Sequence, residues 1–218
     1  MFSIFKSADN REVESNLDGM LADCIEMFDL AMSAFFGDVP AADVKEKIWG
    51  LDKQVNRRER AVRRELLVRG AVRHAEFEQG LLLAYMAVAK DLERIGDYCK
   101  NIWDLANVGV RVSDQPGLER MRAEAAKVRG YLTAGRKAFA AQDQDAAHDL
   151  IPKLDAAAHE HDRIVFELAK SDQPGSEAVP QALYYRFLKR IVSHMENVLT
   201  SIVMPLDRID YYGPTNSE

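Results

Sequence analysis

The chain has 218 residues, 29 of them Lys or Arg and 35 Asp or Glu, and a formal net charge of -6 at pH 7. With 47% hydrophobic and 29% charged residues it is neither disordered nor fibrous, and it is long enough for one large domain or two small ones with a real core. The acidic balance speaks against a uniformly basic nucleic-acid binder, and the longest apolar run, LLLAYMAVA at 81–89, is too short to span a bilayer.

The start, MFSIFKSADN, lacks the basic head, apolar centre and cleavage site of a secretion signal, so a cytoplasmic protein is expected. Periodicity near 3.6 residues predicts a first helix over about 15–36, with Leu17, Leu21, Cys24, Phe28 and Ala31 on one face and GDVP closing it. A second is predicted over 41–72, with a stripe of Val44, Ile48, Leu51, Val55, Val62 and Leu66. The third spans about 76–108 and turns Tyr85, Val88, Leu92, Ile95, Cys99, Ile102 and Ala106 inward. After SDQPG (113–117) a fourth helix runs to about 141, and a fifth occupies 143–170 before a second SDQPG at 171–175. The sixth is expected over about 179–212, bent at Pro205, which removes a backbone donor. Cys24 and Cys99 belong to no metal-ligand or CxxC pattern and read as buried, reduced thiols.

The two halves look like copies. Setting 82–102 over 178–198 pairs Leu92, Arg94, Ile95 and Asn101 with the identical Leu188, Arg190, Ile191 and Asn197. Lys90, Cys99 and Ile102 meet Arg186, Met195 and Val198, and AVRREL (61–66) resembles RIVFEL (163–168). The expectation is an all-α protein of two tandem three-helix units, 14–110 and 117–212, packed as a six-helix bundle.

Within the third helix, DLERIGDYCKNI (91–102) puts Glu93, Asp97 and Asn101 at i, i+4 and i+8, nearly above one another on a flank away from the apolar seam. Carboxylates so spaced repel by about 0.2–0.5 kcal/mol unless something neutralises them. Such stripes are ordinary on solvated helices, and they also suit oxygen-ligated cations. On the preceding helix Asp52, Asn56 and Glu59 have helical spacing; they are either facing ligands or charges on a solvated face.

DLERIGDYCKNI, following LDKQVNRRE (51–59), resembles the PhoU family, whose signature is a third-helix E-x-x-x-D-x-x-x-N stretch around LERIGD. This chain supplies Leu92, Glu93, Arg94, Ile95, Gly96, Asp97 and Asn101, and the resemblance extends over about 14–212. It implies a regulator, not an enzyme, that represses phosphate uptake and the starvation response by linking a phosphate transporter component to a sensor histidine kinase. It also implies iron or another divalent or trivalent metal ion held by Glu93 and Asp97, with Asn101 as an orienting partner. No nucleic-acid partner is implied, and membrane contact would come through partners. In the second half Glu93 gives way to Lys189 and Asp97 to Ser193, which leaves only Asn197, so a second equivalent metal cluster is not expected. His194 and Glu196 lie out of register and read as surface polar residues.

Arg57, Arg58, Arg60, Arg63, Arg64, Arg69 and Arg73 crowd the second helix. Arg57, Arg60 and Arg64 are candidate contacts for an acidic protein partner, the alternative being a solvated face partly paired with Glu59 and Glu65. HEHD at 159–162 fails as a metalloprotease motif because position 163 is Arg163, so His159 and His161 are read as solvated. The rival readings are a carboxylate-bridged metalloenzyme on a helical bundle and a metal-free helical scaffold.

Overall fold

The computed structural model describes residues 10–72, 79–112 and 117–210. Six helices fill them: α1 (Arg11–Phe35), α2 (Ala41–Val72), α3 (Gln79–Asn107), α4 (Leu118–Ala141), α5 (Gln144–Ala169) and α6 (Gly175–Val203), followed by a 3-10 turn at Leu206–Arg208. No strand occurs among the described residues.

α1 begins about a turn earlier than its apolar stripe suggests, because Val13 is fully buried and Glu14 accepts a 3.0 Å hydrogen bond from the Tyr85 hydroxyl. Glu12 and Glu14 also lie in the first turn, where the helix dipole favours negative charge. Gly37, at φ 80°, turns the chain out of α1, a backbone conformation that costs glycine little. Between α4 and α5, Gln142 adopts a left-handed φ of 53° and Asp143 caps α5 by accepting from Ala146 N at 3.0 Å. α6 starts at Gly175, earlier than expected, with Pro174 O accepting from Glu177 N and Ala178 N at 2.9 and 3.0 Å.

α6 also ends earlier than predicted. Pro205 forces the residue before it out of the helical region, and Met204 is extended at ψ 152°, so the helix stops at Val203 rather than bending through. The chain then folds back, with Asp210 N donating to Thr200 Oγ1 at 3.0 Å. Positions 76, 113–116 and 212, where sequence boundaries were set, lie outside the described residues.

Every residue of the predicted α1, α2 and α3 stripes is buried, and both cysteines are free and buried. Trp103, outside that stripe, is also buried and donates Nε1–H to Ala41 O at 2.9 Å, which ties the end of α3 to the start of α2. α1, α2 and α3 pack on one another, as do α4, α5 and α6, and the two groups meet where α1 touches α4 and α3 touches α6. Tyr184 crosses that boundary: its ring stacks on Phe35 at 4.9 Å and its hydroxyl donates to Met121 O at 2.7 Å. The pairs Asp18–Arg136 and Asp29–Arg129 along α1 and α4, and Asp38–Arg122 just past the end of α1, run in opposite numerical order, so these helices are antiparallel.

Gly96, in the middle of LERIGD, sits where α3 passes α1. An added Cβ would lie 3.5 Å from Cys24 Sγ and 3.7 Å from Met27 Sδ, ordinary contact with no room beyond it. Gly96→Ala should therefore be neutral to about 1 kcal/mol stabilising through helix propensity. Gly96→Leu should cost about 1–3 kcal/mol by overpacking. Urea denaturation separates the two, and equal losses for both variants would contradict this packing.

Candidate functional site

α3 carries different chemistry on different sides. Its apolar arc leaves a strip along the helix that includes Glu93, Arg94, Asp97, Lys100, Asn101 and Asp104, of which only Arg94 and Asp104 are exposed. Glu93 and Asp97 are half-buried, and Asp97 feels Asp52 on α2, so their repulsion is not fully screened by water.

The cations of the chain itself answer that repulsion. Lys90 Nζ lies 2.7 Å from Glu93 Oε2. Arg94 lies 3.4 Å from Asp97 and 3.9 Å from Glu93. Lys100 Nζ is 2.8 Å from Asp52 Oδ1 on α2 and 3.8 Å from Asp97 Oδ1, so one ammonium faces carboxylates from two helices. Burial would lower the Lys100 pKa, but the Asp52 hydrogen bond and the charges of Asp52, Asp97 and Asp104 outweigh it and leave it raised. Asp97 is raised too, first by burial and then by Glu93, against the opposing pull of Lys100 and Arg94.

The structure thus brings Asp52 to the stripe, with Asn56 Nδ2 donating to Asp52 Oδ2 at a long 3.5 Å. Glu59 is not brought there: it is buried and held by Arg63 at 2.6 Å. Asn101 is half-buried and hydrogen-bonds to none of them. No three or more His, Cys, Asp or Glu side chains among the described residues converge as metal ligands. As arranged, the stripe does not fit a metal ion, and an ammonium stands where one would bridge the two helices.

Sequence reasoning missed a second polar cluster, in the seam between α3 and α6. Asp91 and His194 are both buried, and His194 Nδ1 is 2.7 Å from Asp91 Oδ1. Asn197 Nδ2 donates to the same oxygen at 3.2 Å. Arg190 donates Nε–H to the Tyr98 hydroxyl at 3.2 Å, and its Nη2 is 3.2 Å from His194 Nε2. A guanidinium can only donate, so Nε2 accepts and the Nδ1 proton goes to Asp91. His194 is therefore a seam residue, not the surface residue its register suggested. The signal was available: Asp91 continues the spacing of Ala84, Val88 and Ile95, a second arc needed by a helix with neighbours on two sides.

His161 needs the same correction, while His159 is exposed as expected. His161 is fully buried on α5, with Nε2 3.2 Å from Glu124 Oε2, and burial pushes its pKa down. It lies in register with Leu154, Ala157, Ala158 and Ile164, all buried.

On α2, Arg58 pairs with Asp23, Arg63 with Glu59, and Arg69 with Glu65 and Asn10. Arg57, Arg60 and Arg64 are exposed and pair with nothing among the described residues; Arg73 lies outside those residues. The same ridge continues into Leu67 and Val68, 66% and 53% exposed.

The family model described as PhoU domain matches residues 17–106. A protein named phosphate-specific transport system accessory protein PhoU homolog, from Synechocystis sp., is 27% identical over 204 residues, 90% of this chain and 88% of that protein. A second, PhoU homolog 1 of Thermotoga maritima, is 28% identical over 91 residues, 42% of this chain and 38% of that protein. The crystal structure of PhoU from Pseudomonas aeruginosa shares the fold, with a TM-score of 0.74 at 22% identity over 92% of this chain and 98% of that one.

Removing the acceptor in the seam with Asp91→Ala should cost about 1–3 kcal/mol, because the His194 and Asn197 donors are left buried without it. His194→Ala should then cost at least ~0.5 kcal/mol less in the Asp91→Ala background than in the parent, measured by urea denaturation; additive costs would mean that the pair is not coupled.

Glu196 offers a pH-dependent test. Burial first, and then the charge of Asp155, raise its carboxyl to about 7, with His159 opposing. The raised folded value means that stability is lost as pH rises from the ordinary carboxylate range through about 7. Glu196→Gln should accordingly raise Tm at pH 8 and change it little at pH 5; an equal shift at both pH values would contradict the assignment.

Proposed function

This chain belongs to the PhoU family, and from that premise we propose that it regulates phosphate uptake and the phosphate-starvation response by docking on other proteins. The partner is a phosphate-transporter component or the sensor histidine kinase that reads its state. Curated relatives named as phosphate-specific transport system accessory proteins support the first half of that reading. On this reading the chain works in the cytoplasm and reaches the membrane through its partner; no helix among the described residues is long and apolar enough to cross a membrane.

The observation that carries the docking mechanism is the uncompensated ridge of α2. On a chain of net charge -6, Arg57, Arg60 and Arg64 stand exposed at i, i+3 and i+7 while neighbouring arginines are paired internally. Free guanidinium groups beside exposed Leu67 and Val68 suit an acidic protein surface with an apolar centre, which bidentate arginine contacts would orient. The reading assigns no catalytic residue.

The test is capture from phosphate-replete cells with the full chain as bait. The parent should retain a phosphate-transport component or its kinase, and the triple change Arg57→Glu, Arg60→Glu, Arg64→Glu should reduce that capture about tenfold, equivalent to ~1.4 kcal/mol. Each of these surface changes should alter stability by no more than ~0.5 kcal/mol, so a Tm close to that of the parent is the control. Undiminished capture by the folded triple variant would reduce the ridge to a solvated face.

A further inference from the structure

We infer that Lys100 is a built-in counter-ion that occupies the bridging position between α2 and α3 and keeps the acidic stripe independent of metal ions. Its ammonium is placed rather than loosely paired. Nζ is 2.8 Å from Asp52 Oδ1, 3.8 Å from Asp97 Oδ1 and 5.8 Å from the centre of the Trp49 ring, so two carboxylates and an aromatic face surround it. The side chain is 24% exposed and that of Asp52 14%, so this bridge is shielded from salt and water far better than the outer pairs of Lys90 and Arg94.

A divalent ion entering the same point would meet that ammonium at contact distance and would have to expel it from Asp52 while also competing with Arg94. The remaining oxygen donors do not compensate, since Glu59 is committed to Arg63 and Asn101 is not turned into the cluster by any hydrogen bond. The second half uses the same device: Lys189, at the position that corresponds to Glu93, lies 3.0 Å from Asp162 Oδ2 on α5. In both halves an ammonium on the third helix of the unit neutralises a carboxylate on the second.

The experiment uses the full chain, its Lys100→Met variant, which keeps an unbranched side chain one atom shorter but removes the charge, and MnCl2 as the probe. Elemental analysis of the parent should find no stoichiometric manganese, iron or zinc, and neither MnCl2 nor EDTA should move its Tm. In Lys100→Met, Asp52 and Asp97 lose the cation between them, and only Arg94 still pairs with Asp97. MnCl2 well above its Kd should then raise Tm by roughly 5 °C and EDTA should reverse the gain. Adding Asp52→Asn to Lys100→Met should abolish the response. Stoichiometric metal in the parent that is lost in Asp97→Asn would overturn the inference, as would a folded Lys100→Met variant indifferent to MnCl2. Should Lys100→Met fail to fold, the metal content and titration of the parent still decide.

Discussion

Burial of α3 against three neighbours is the constraint on which the rest of this molecule depends. Leu92, Ile95, Cys99 and Ile102 go into the core shared with α1 and α2, while Asp91 and Tyr98 go into the seam with α6. Only a narrow strip of the helix remains, and the sequence places Glu93, Asp97 and Asp104 along it. Carboxylates on a strip half-sheltered by α2 cannot rely on bulk water to screen them. The cations that neutralise them therefore come from within the fold, and the most sheltered, Lys100, reaches across to Asp52 and fastens α2 as it does so.

The second half shows how the same scaffold changes when its stripe changes. Lys189 replaces an acid and turns to Asp162, which Arg186 also reaches. Asn197, kept from the stripe, donates to Asp91 across the seam and so serves the packing of the halves. The halves are fastened by unlike devices: exposed or part-buried arginine–aspartate pairs between α4 and α1 or the turn after it, and a buried, directional network between α3 and α6. Exposed pairs contribute ~0–1 kcal/mol each, so the orientation of one half on the other depends more on the buried network and on apolar contacts such as Phe35 on Tyr184.

The helices and their core faces were legible because a 3.6-residue apolar period survives almost intact in α1, α2 and α3, with boundaries marked by Gly37 and Asp143. The end of α6 was misread because a proline inside an apolar pattern was taken as a bend, whereas its effect on Met204 stops the helix. The polar residues were harder. His161 and His194 were read by residue type as surface groups and Asp91 was not singled out, yet each lies in register with a buried arc, and a helix with two neighbours buries a wider arc than one with a single neighbour. Lys100 carried no signal of its role in the sequence. Nothing in one-dimensional spacing says that a lysine on α3 meets an aspartate forty-eight positions earlier.

On the proposed function, docking by charge needs a surface whose potential is set by the chain's own side chains, and a stripe neutralised from within would meet that need without depending on metal supply. Diffraction from crystals grown with MnCl2, with anomalous data to locate manganese, tests this most directly. Continuous density for Lys100 reaching between Asp52 and Asp97, with no anomalous peak on the stripe, is the expected result. A manganese peak ligated by Glu93 or Asp97, with Lys100 swung out to solvent, would contradict it.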